Sequence, residues 1–94
     1  MYLLQIEHPV PSYEGWKKVF DNDPMNRRGS GVKRYRIYRK LGEPSQIMVD
    51  LEFDDLGQAE LMLKGLQKLW NQVEGTIISG PKARILEELE SLSY

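Results

Sequence analysis

The fold is decided by residues 45–53, which read SQIMVDLEF. Apolar residues alternate here with mostly polar ones, and no other part of the chain alternates as clearly. The two sets are Ile47, Val49, Leu51 and Phe53 on one side and Met48, Asp50 and Glu52 on the other. A period of two is typical of a β-strand that packs one face on a core and keeps the other face polar. We take this stretch as the third strand of the chain.

A first strand and a short helix lie at the start of the chain. Residues 2–7 alternate around Leu4 and Ile6, and a turn over residues 8–11 with two prolines closes the strand. Ser12 is a suitable helix N-cap, and aromatic and aliphatic residues follow it at helical spacing as far as residue 20 or 21. The sequence therefore predicts a short, aromatic first helix.

A loop over residues 22–31, which read NDPMNRRGSG, separates this helix from a second strand. The loop has no periodicity and is near the upper end of ordinary connection lengths. Residues 32–39 are predicted as the second strand, with Tyr35 and Ile37 on one face and Arg34, Arg36 and Tyr38 on the other. A turn over residues 41–44 leads back into the third strand.

A second helix follows the third strand. Asp55 and Gln58 resemble a capping box, and apolar residues recur at helical spacing from Ala59 to Val73, with the helix expected to end at Gly75.

The C-terminal tail, ARILEELESL, fits either a helix or a strand. A three-stranded sheet would leave its first strand as a bare edge, whereas a fourth strand beside it completes a split βαβ arrangement. We therefore expect a strand over residues 82–88.

The composition predicts one folded domain over residues 1–94. Hydrophobic residues make up 40% and charged residues 29%, which is within the globular range. Lys and Arg number 13 against 14 Asp and Glu, a net charge of -1, so no global field favours nucleic acid or an anionic membrane surface. Without cysteine, the sequence offers no disulfide, no thiol nucleophile and no thiolate metal site.

The N-terminal residues MYLLQIEHPV carry no basic segment and only a short leucine run. This pattern is neither that of a signal peptide nor that of a membrane span. A cytoplasmic location without membrane association is the resulting expectation.

The element order β-α-β-β-α-β resembles the ferredoxin-like fold, and details resemble its dimeric α/β-barrel branch. The first strand resembles the first strand of that branch, because it ends at a polar residue and a proline-rich turn, here Ile6-Glu7-His8-Pro9. Residues 13–21, YEGWKKVFD, are similar to the first helix of small uncharacterised bacterial proteins related to antibiotic biosynthesis monooxygenases.

The resemblance implies an α+β chain with a four-stranded antiparallel sheet and two helices on one face. It further implies a homodimer, paired through the sheets as a dimeric α/β barrel, with a pocket in or beside each protomer. Members include cofactor-free monooxygenases, isomerases, dehalogenating and dehydrating enzymes, and proteins of no known activity. Their catalytic groups vary, and none of those sets matches this sequence residue by residue. No cofactor is expected.

The candidate site follows from the strand order 4-1-3-2, with strands one and three taken to run parallel at the centre. This arrangement gathers chemically active side chains at one end of the sheet, together with the loop that carries Arg27 and Arg28. His8 is the candidate catalytic acid or base. The candidate substrate-binding residues are Tyr13, Trp16, Arg28, Arg34 and Glu52. An imidazole, a phenol, carboxylates and guanidinium groups together could abstract a proton and hold an enolate or a carboxylate.

The alternative is that these residues have no role in chemistry. His8 would then face solvent before a proline, Tyr13 and Trp16 would be core, and the charges would be solvated. A metal site is not expected, because one histidine leaves only carboxylate pairs that are adjacent in sequence, such as Asp54-Asp55.

The polar face of the sheet allows a second interpretation, as a contact between two copies. Its expected members are Gln5, Glu7, Arg34, Arg36, Asp50 and Glu52. If this face is buried in a dimer, each arginine needs a carboxylate partner, because an unpaired buried charge costs several kcal/mol.

The basic and aromatic strand two is similar to an RNA-binding sheet, but it lies at an edge, and charges there protect against edge-to-edge association. No nucleic-acid partner is expected.

Two functions remain open from the sequence. The first is a cofactor-independent enzyme, monooxygenase- or isomerase-like, with His8 as acid or base and Arg28 or Arg34 holding an anionic group of a small organic molecule. The second is a non-enzymatic ligand-binding or homodimeric assembly module. An enzyme should have a pocket between helix one, the long loop and the sheet that reaches His8 and contains perturbed titratable groups. A module should have a filled core.

Overall fold

The computed structural model describes residues 1–73 and 80–94. The described secondary structure follows the predicted order. It consists of β1 (Tyr2–Pro9), α1 (Tyr13–Asp21), β2 (Val32–Lys40), β3 (Glu43–Phe53), α2 (Leu56–Val73) and β4 (Lys82–Glu87). Neither helix in this part of the chain combines the length and the hydropathy needed to cross a bilayer.

The four strands form one antiparallel sheet in the order β2-β3-β1-β4, and both helices pack on one face of it. The alternation in β3 predicts the core correctly: Ile47, Val49, Leu51 and Phe53 are all at most 3% exposed. They pack with Leu4 and with residues of both helices. The predicted ferredoxin-like βαββαβ fold is confirmed.

The predicted direction of the central strands is wrong, because β1 and β3 pair antiparallel rather than parallel. The connection through α1 returns the chain so that β2 runs in the same direction as β1, and the short turn into β3 then reverses it. The end of β1 therefore lies beside the beginning of β3, with His8 opposite Ile47 and Tyr2 opposite Phe53.

Three strand ends extend beyond the predicted bounds, and β2 gains only Lys40. Pro9 still belongs to β1, where it pairs with Gln46, so the strand continues through His8 instead of turning there. β3 already begins at Glu43, which leaves a two-residue hairpin turn whose Gly42 has a φ of +87°. A side chain is disfavoured at that φ, and glycine adopts it without strain.

The helix caps and the tail agree with the sequence. Ser12 Oγ accepts a hydrogen bond from the Gly15 backbone N–H at 3.2 Å, and Asp55 Oδ2 accepts one from the Gln58 N–H at 3.0 Å. The tail forms β4 along β1, so the strand prediction is confirmed and the helical alternative is wrong. The predicted helix end at Gly75 lies outside the described residues.

The loop over residues 22–31 is held in one compact shape by its own polar side chains. Asp23 and Asn26 adopt left-handed backbone conformations (φ of 51° and 50°), which Asn and Asp tolerate better than most residues. Asp23 Oδ1 accepts a hydrogen bond from the Arg27 N–H at 2.9 Å, and Ser30 Oγ donates one to the Met25 carbonyl at 2.7 Å. The turns fix which loop side chains point inward.

Met25 is one of these inward side chains, and it reaches α2 at Gly65. A Cβ on Gly65 would overlap the Met25 Cε, so the absence of a side chain there leaves room for the thioether. The loop is thereby packed against the second helix.

We expect these two residues to be coupled. Ala is favoured over Gly inside a helix by about 1 kcal/mol, but Gly65→Ala has to displace the end of the Met25 side chain, so part of this stabilisation should be lost in the wild-type background. In a Met25→Ala background the full stabilisation should return, giving a coupling of about 0.5 kcal/mol in a double-mutant cycle measured by urea unfolding. An equal effect of Gly65→Ala in both backgrounds would contradict the packing described.

Candidate functional site

An apolar cavity of about 80 Å³ lies between α1, the loop, α2 and the helix-facing side of the sheet. It occupies the predicted place beside helix one, the long loop and the sheet, and α2 closes its far side through residues such as Leu66 and Trp70. Among the described residues that line it, all are apolar except His8 and Arg27. This cavity is about half the roughly 150 Å³ that accepts benzene in an engineered protein core, so a ligand with one ring enters only if the lining residues move apart.

His8 is buried at the wall of the apolar cavity, with 2% of its surface exposed. Its side chain falls on the same face of β1 as Leu4 and Ile6, because the strand continues through Pro9. The alternative in which His8 faces solvent is therefore wrong. Its Nδ1 has no hydrogen-bond partner in the part of the chain that the structure describes. Buried polar atoms are nearly always paired, so such an atom calls for an explanation.

Burial lowers the pKa of His8 below its ordinary value of 6.5, because an apolar environment disfavours the charged imidazolium. The backbone of Pro9 opposes part of this effect, although no hydrogen bond of ordinary geometry satisfies Nδ1. At neutral pH the ring is therefore uncharged. A neutral imidazole has one nitrogen with a free lone pair, which can accept a proton.

A row of aromatic rings holds the imidazole and the cavity wall in place. The His8 and Trp16 rings are 5.6 Å apart between centroids, Trp16 and Phe20 are 5.1 Å apart, and Phe20 meets Tyr35 edge-on at 5.0 Å. Tyr13 packs on the other side of Trp16 at 5.9 Å. Such pairs each add about 0.5–1.5 kcal/mol beyond area burial, so they stabilise the position of the imidazole at the cavity wall.

Arg27 supplies the second polar group of the apolar cavity. Its guanidinium lies over the Phe20 ring, with Cζ 3.9 Å from the centroid, and its side chain is only 17% exposed. Nη1 donates a hydrogen bond to the Phe20 carbonyl at 2.7 Å and is 3.3 Å from Asp23 Oδ1. The cavity thus has an imidazole and a cation in an otherwise apolar wall.

The predicted gathering of site residues at one end of the sheet is wrong for Arg34 and Glu52. These residues pair with each other across β2 and β3, whereas His8 pairs with Ile47, five residues away along β3. At roughly 3.4 Å per residue this separation is about 17 Å, and Arg34 and Glu52 also lie on the sheet face away from the helices. The antiparallel course of β3 explains the error, because it moves the strand's last residues to the opposite end.

His8, Tyr13 and Trp16 are brought together as predicted, although Tyr13 is not among the residues lining the cavity. Arg28, the predicted loop arginine, is exposed and does not line it either. Arg27 occupies the inward position instead, and the sequence gives no signal that distinguishes these neighbours.

No group of three or more metal-ligating side chains converges within residues 1–73 and 80–94.

On the sheet face away from the helices, which we call the outer face, opposite charges are paired as predicted. Glu52 Oε2 lies 3.1 Å from Arg36 Nη1 and 3.6 Å from Arg34 Nε. Gln5 donates a hydrogen bond to Asp50 Oδ1 at 3.2 Å, and Asp50 is only 9% exposed.

Solved structures share the fold over the whole chain at low sequence identity. SnoaB, a cofactor-independent oxygenase from Streptomyces nogalater, has 11% identity and a TM-score of 0.77, with 99% of this chain and 97% of that chain covered. A dimeric ferredoxin-like protein from an uncultured marine organism has 9% identity and a TM-score of 0.67, with both chains fully covered. An antibiotic biosynthesis monooxygenase has 9% identity and a TM-score of 0.65, with 96% and 100% covered.

These likenesses agree with the resemblance predicted from the first strand and helix, and they show the ferredoxin-like fold. A scan against protein-family models and a search of curated proteins both find no match.

The lowered pKa of His8 predicts a specific pH dependence of folding. Near and below pH 6.5 the unfolded chain binds a proton at His8 more readily than the folded protein does. The part of the folding stability that depends on a neutral His8 is therefore fully present above that pH and is lost as the pH falls through the lower folded-state pKa. Urea unfolding between about pH 8 and pH 5 should show a larger loss for the wild type than for His8→Phe, which cannot titrate. Parallel pH profiles for the two proteins would contradict the burial of a neutral ring.

Proposed function

We propose that the chain binds a small apolar molecule in the cavity beside His8 and that the neutral imidazole accepts a proton from it. The observation that carries this proposal is the unpartnered Nδ1 of a buried histidine at the wall of an apolar cavity. An acidic C–H or O–H group of a ligand in this cavity would donate to the imidazole nitrogen that carries the free lone pair.

Proton acceptance at His8 is the first step of a cofactor-independent reaction. The ligand's C–H or O–H bond breaks, the proton moves to the imidazole, and the electron pair stays on the ligand as an enolate or phenolate. Return of the proton to a different carbon is an isomerisation, and reaction of the anion with O₂ is an oxygenation. The imidazolium and the anion form in one apolar site, where each favours the charged form of the other.

The structural observations favour an enzyme over an assembly module alone. A module was expected to have a filled core, whereas the apolar cavity reaches His8, and burial lowers the pKa of that residue. SnoaB, which has the same fold, is described as a cofactor-independent oxygenase. That description supports the same class of chemistry for this chain.

Hydrogen exchange on a simple ketone tests the proton transfer directly. We expect the wild-type protein to accelerate deuterium incorporation into the methyl group of acetophenone in D₂O, followed by NMR, and His8→Phe to lose roughly 10²-fold of that rate. Free imidazole at the same concentration is the control for buffer catalysis. Equal exchange rates for the wild type, His8→Phe and free imidazole would rule out the proposed role of His8.

We also propose that two copies pair through the outer face. Leu3, Tyr38, Met48 and Leu86 alternate there with the paired charges, and Tyr38 and Leu86 are 46% and 40% exposed. Arg34, Arg36 and Arg84 each have a carboxylate partner within the chain, so covering this face would bury none of these arginines without one. The structural neighbour from the uncultured marine organism is described as dimeric, which supports this assembly.

Sedimentation at micromolar concentration tests the pairing. We expect the wild type to sediment as a dimer and Tyr38→Glu to sediment as a monomer, because the new carboxylate would be buried without a partner. Leu61→Glu is the matched control, since Leu61 is 69% exposed on α2, on the other side of the sheet. A monomeric wild type, or dissociation by Leu61→Glu to the same extent, would exclude the outer face as the contact.

A further inference from the structure

We infer that Arg27 makes the apolar cavity select small ligands that carry an anionic oxygen, such as a phenolate, an enolate or a carboxylate. The inference rests on the proposed function, because it concerns the molecule that would occupy the same cavity. It assigns the anion-binding role to a residue whose neighbour in the sequence, Arg28, is exposed and outside the cavity wall.

The Arg27 guanidinium still has donors available for a ligand. A guanidinium has five N–H donors. Both polar contacts of the Arg27 guanidinium with described residues, to the Phe20 carbonyl and to Asp23 Oδ1, use Nη1. Nε and Nη2 have no hydrogen-bond partner within residues 1–73 and 80–94, so donors remain for a ligand at the cavity wall.

The Arg27 guanidinium is held in place by its neighbours. It lies over Phe20 and is 5.1 Å from the Tyr35 ring centroid, and the Arg27 backbone N–H is bound to Asp23 Oδ1 at 2.9 Å. A stacked, hydrogen-bonded arginine loses little further freedom when an anion binds. The planar fork also matches the two oxygens of a carboxylate or a single phenolate oxygen.

The charged groups around the cavity favour an anionic ligand. No carboxylate lines it among the described residues, and His8, the other polar group, is neutral. Asp23 is the one acidic side chain in contact with Arg27 in that part of the chain, at 3.3 Å and with 35% of its side chain exposed. An anion in the apolar cavity would meet Arg27 in a less polar medium than Asp23 does, where the attraction is stronger.

The proposed proton transfer also gives Arg27 a role. A proton transferred to His8 leaves a negative charge on the ligand, and Arg27 is the cation in the same wall that can stabilise it. The ligand that fits both groups is an apolar body of about one ring with an ionisable oxygen.

A matched pair of probes tests this selection. At about pH 8, 4-nitrophenol is anionic and its visible band reports the phenolate, whereas 4-nitroanisole has nearly the same size and no charge. We expect the wild type to bind the phenolate more tightly than the ether. Arg27→Met should weaken phenolate binding on the order of tenfold or more and leave 4-nitroanisole binding nearly unchanged. Arg28→Met removes the same charge from an exposed position and should change neither affinity.

A second variant keeps the test decisive if Arg27→Met disturbs the loop. Asp23→Asn retains an oxygen for the Arg27 N–H and tolerates the left-handed backbone, but it removes the competing carboxylate. It should tighten phenolate binding several-fold without affecting 4-nitroanisole.

The two proposals fail in different ways. Equal binding of the two probes, unaffected by Arg27→Met and Asp23→Asn, would overturn the selection for anions and leave a ligand-binding cavity beside His8. Binding of neither probe would overturn the proposed function and this inference together.

Discussion

The structure of the site depends on the continuation of β1 through His8 to Pro9. Because a strand places alternate residues on opposite faces, the pairing of Pro9 with Gln46 forces His8 onto the same side as Leu4 and Ile6. Had the strand ended at Glu7, the imidazole would have been free to turn to solvent. One further pair of residues in the β1–β3 ladder therefore converts a surface histidine into a buried one.

The burial of this histidine is unfavourable for folding by itself. An unpaired buried polar atom costs about 1–3 kcal/mol, and the neighbouring rings of Trp16 and Phe20 give the imidazole packing but no hydrogen bond to Nδ1. The compact loop and Arg27 close the same space from the other side. The fold thus maintains a poorly satisfied polar group in an apolar environment, an arrangement that is concentrated at functional sites.

Much of the fold could be predicted because strand alternation and helix capping are local. Residues 45–53 specified the core face of β3, and Ser12 and Asp55 specified the starts of both helices. The site was harder to predict because it depends on how distant segments meet. The direction of β3 relative to β1 decided that Glu52 lies far from His8, and the conformation of the loop decided that Arg27 rather than Arg28 lines the cavity. Neither choice has a signature in the local pattern of residues.

The long-range ¹H–¹⁵N spectrum of the imidazole in ¹⁵N-labelled protein reports both the protonation of His8 and its contact with a ligand. The chain contains 1 histidine, so every signal belongs to His8. We expect a ring that is still neutral just below pH 6.5, with one unprotonated nitrogen that lacks a hydrogen bond and whose resonance moves when 4-nitrophenol is added. A ring that titrates with an ordinary pKa and does not respond to 4-nitrophenol would contradict it.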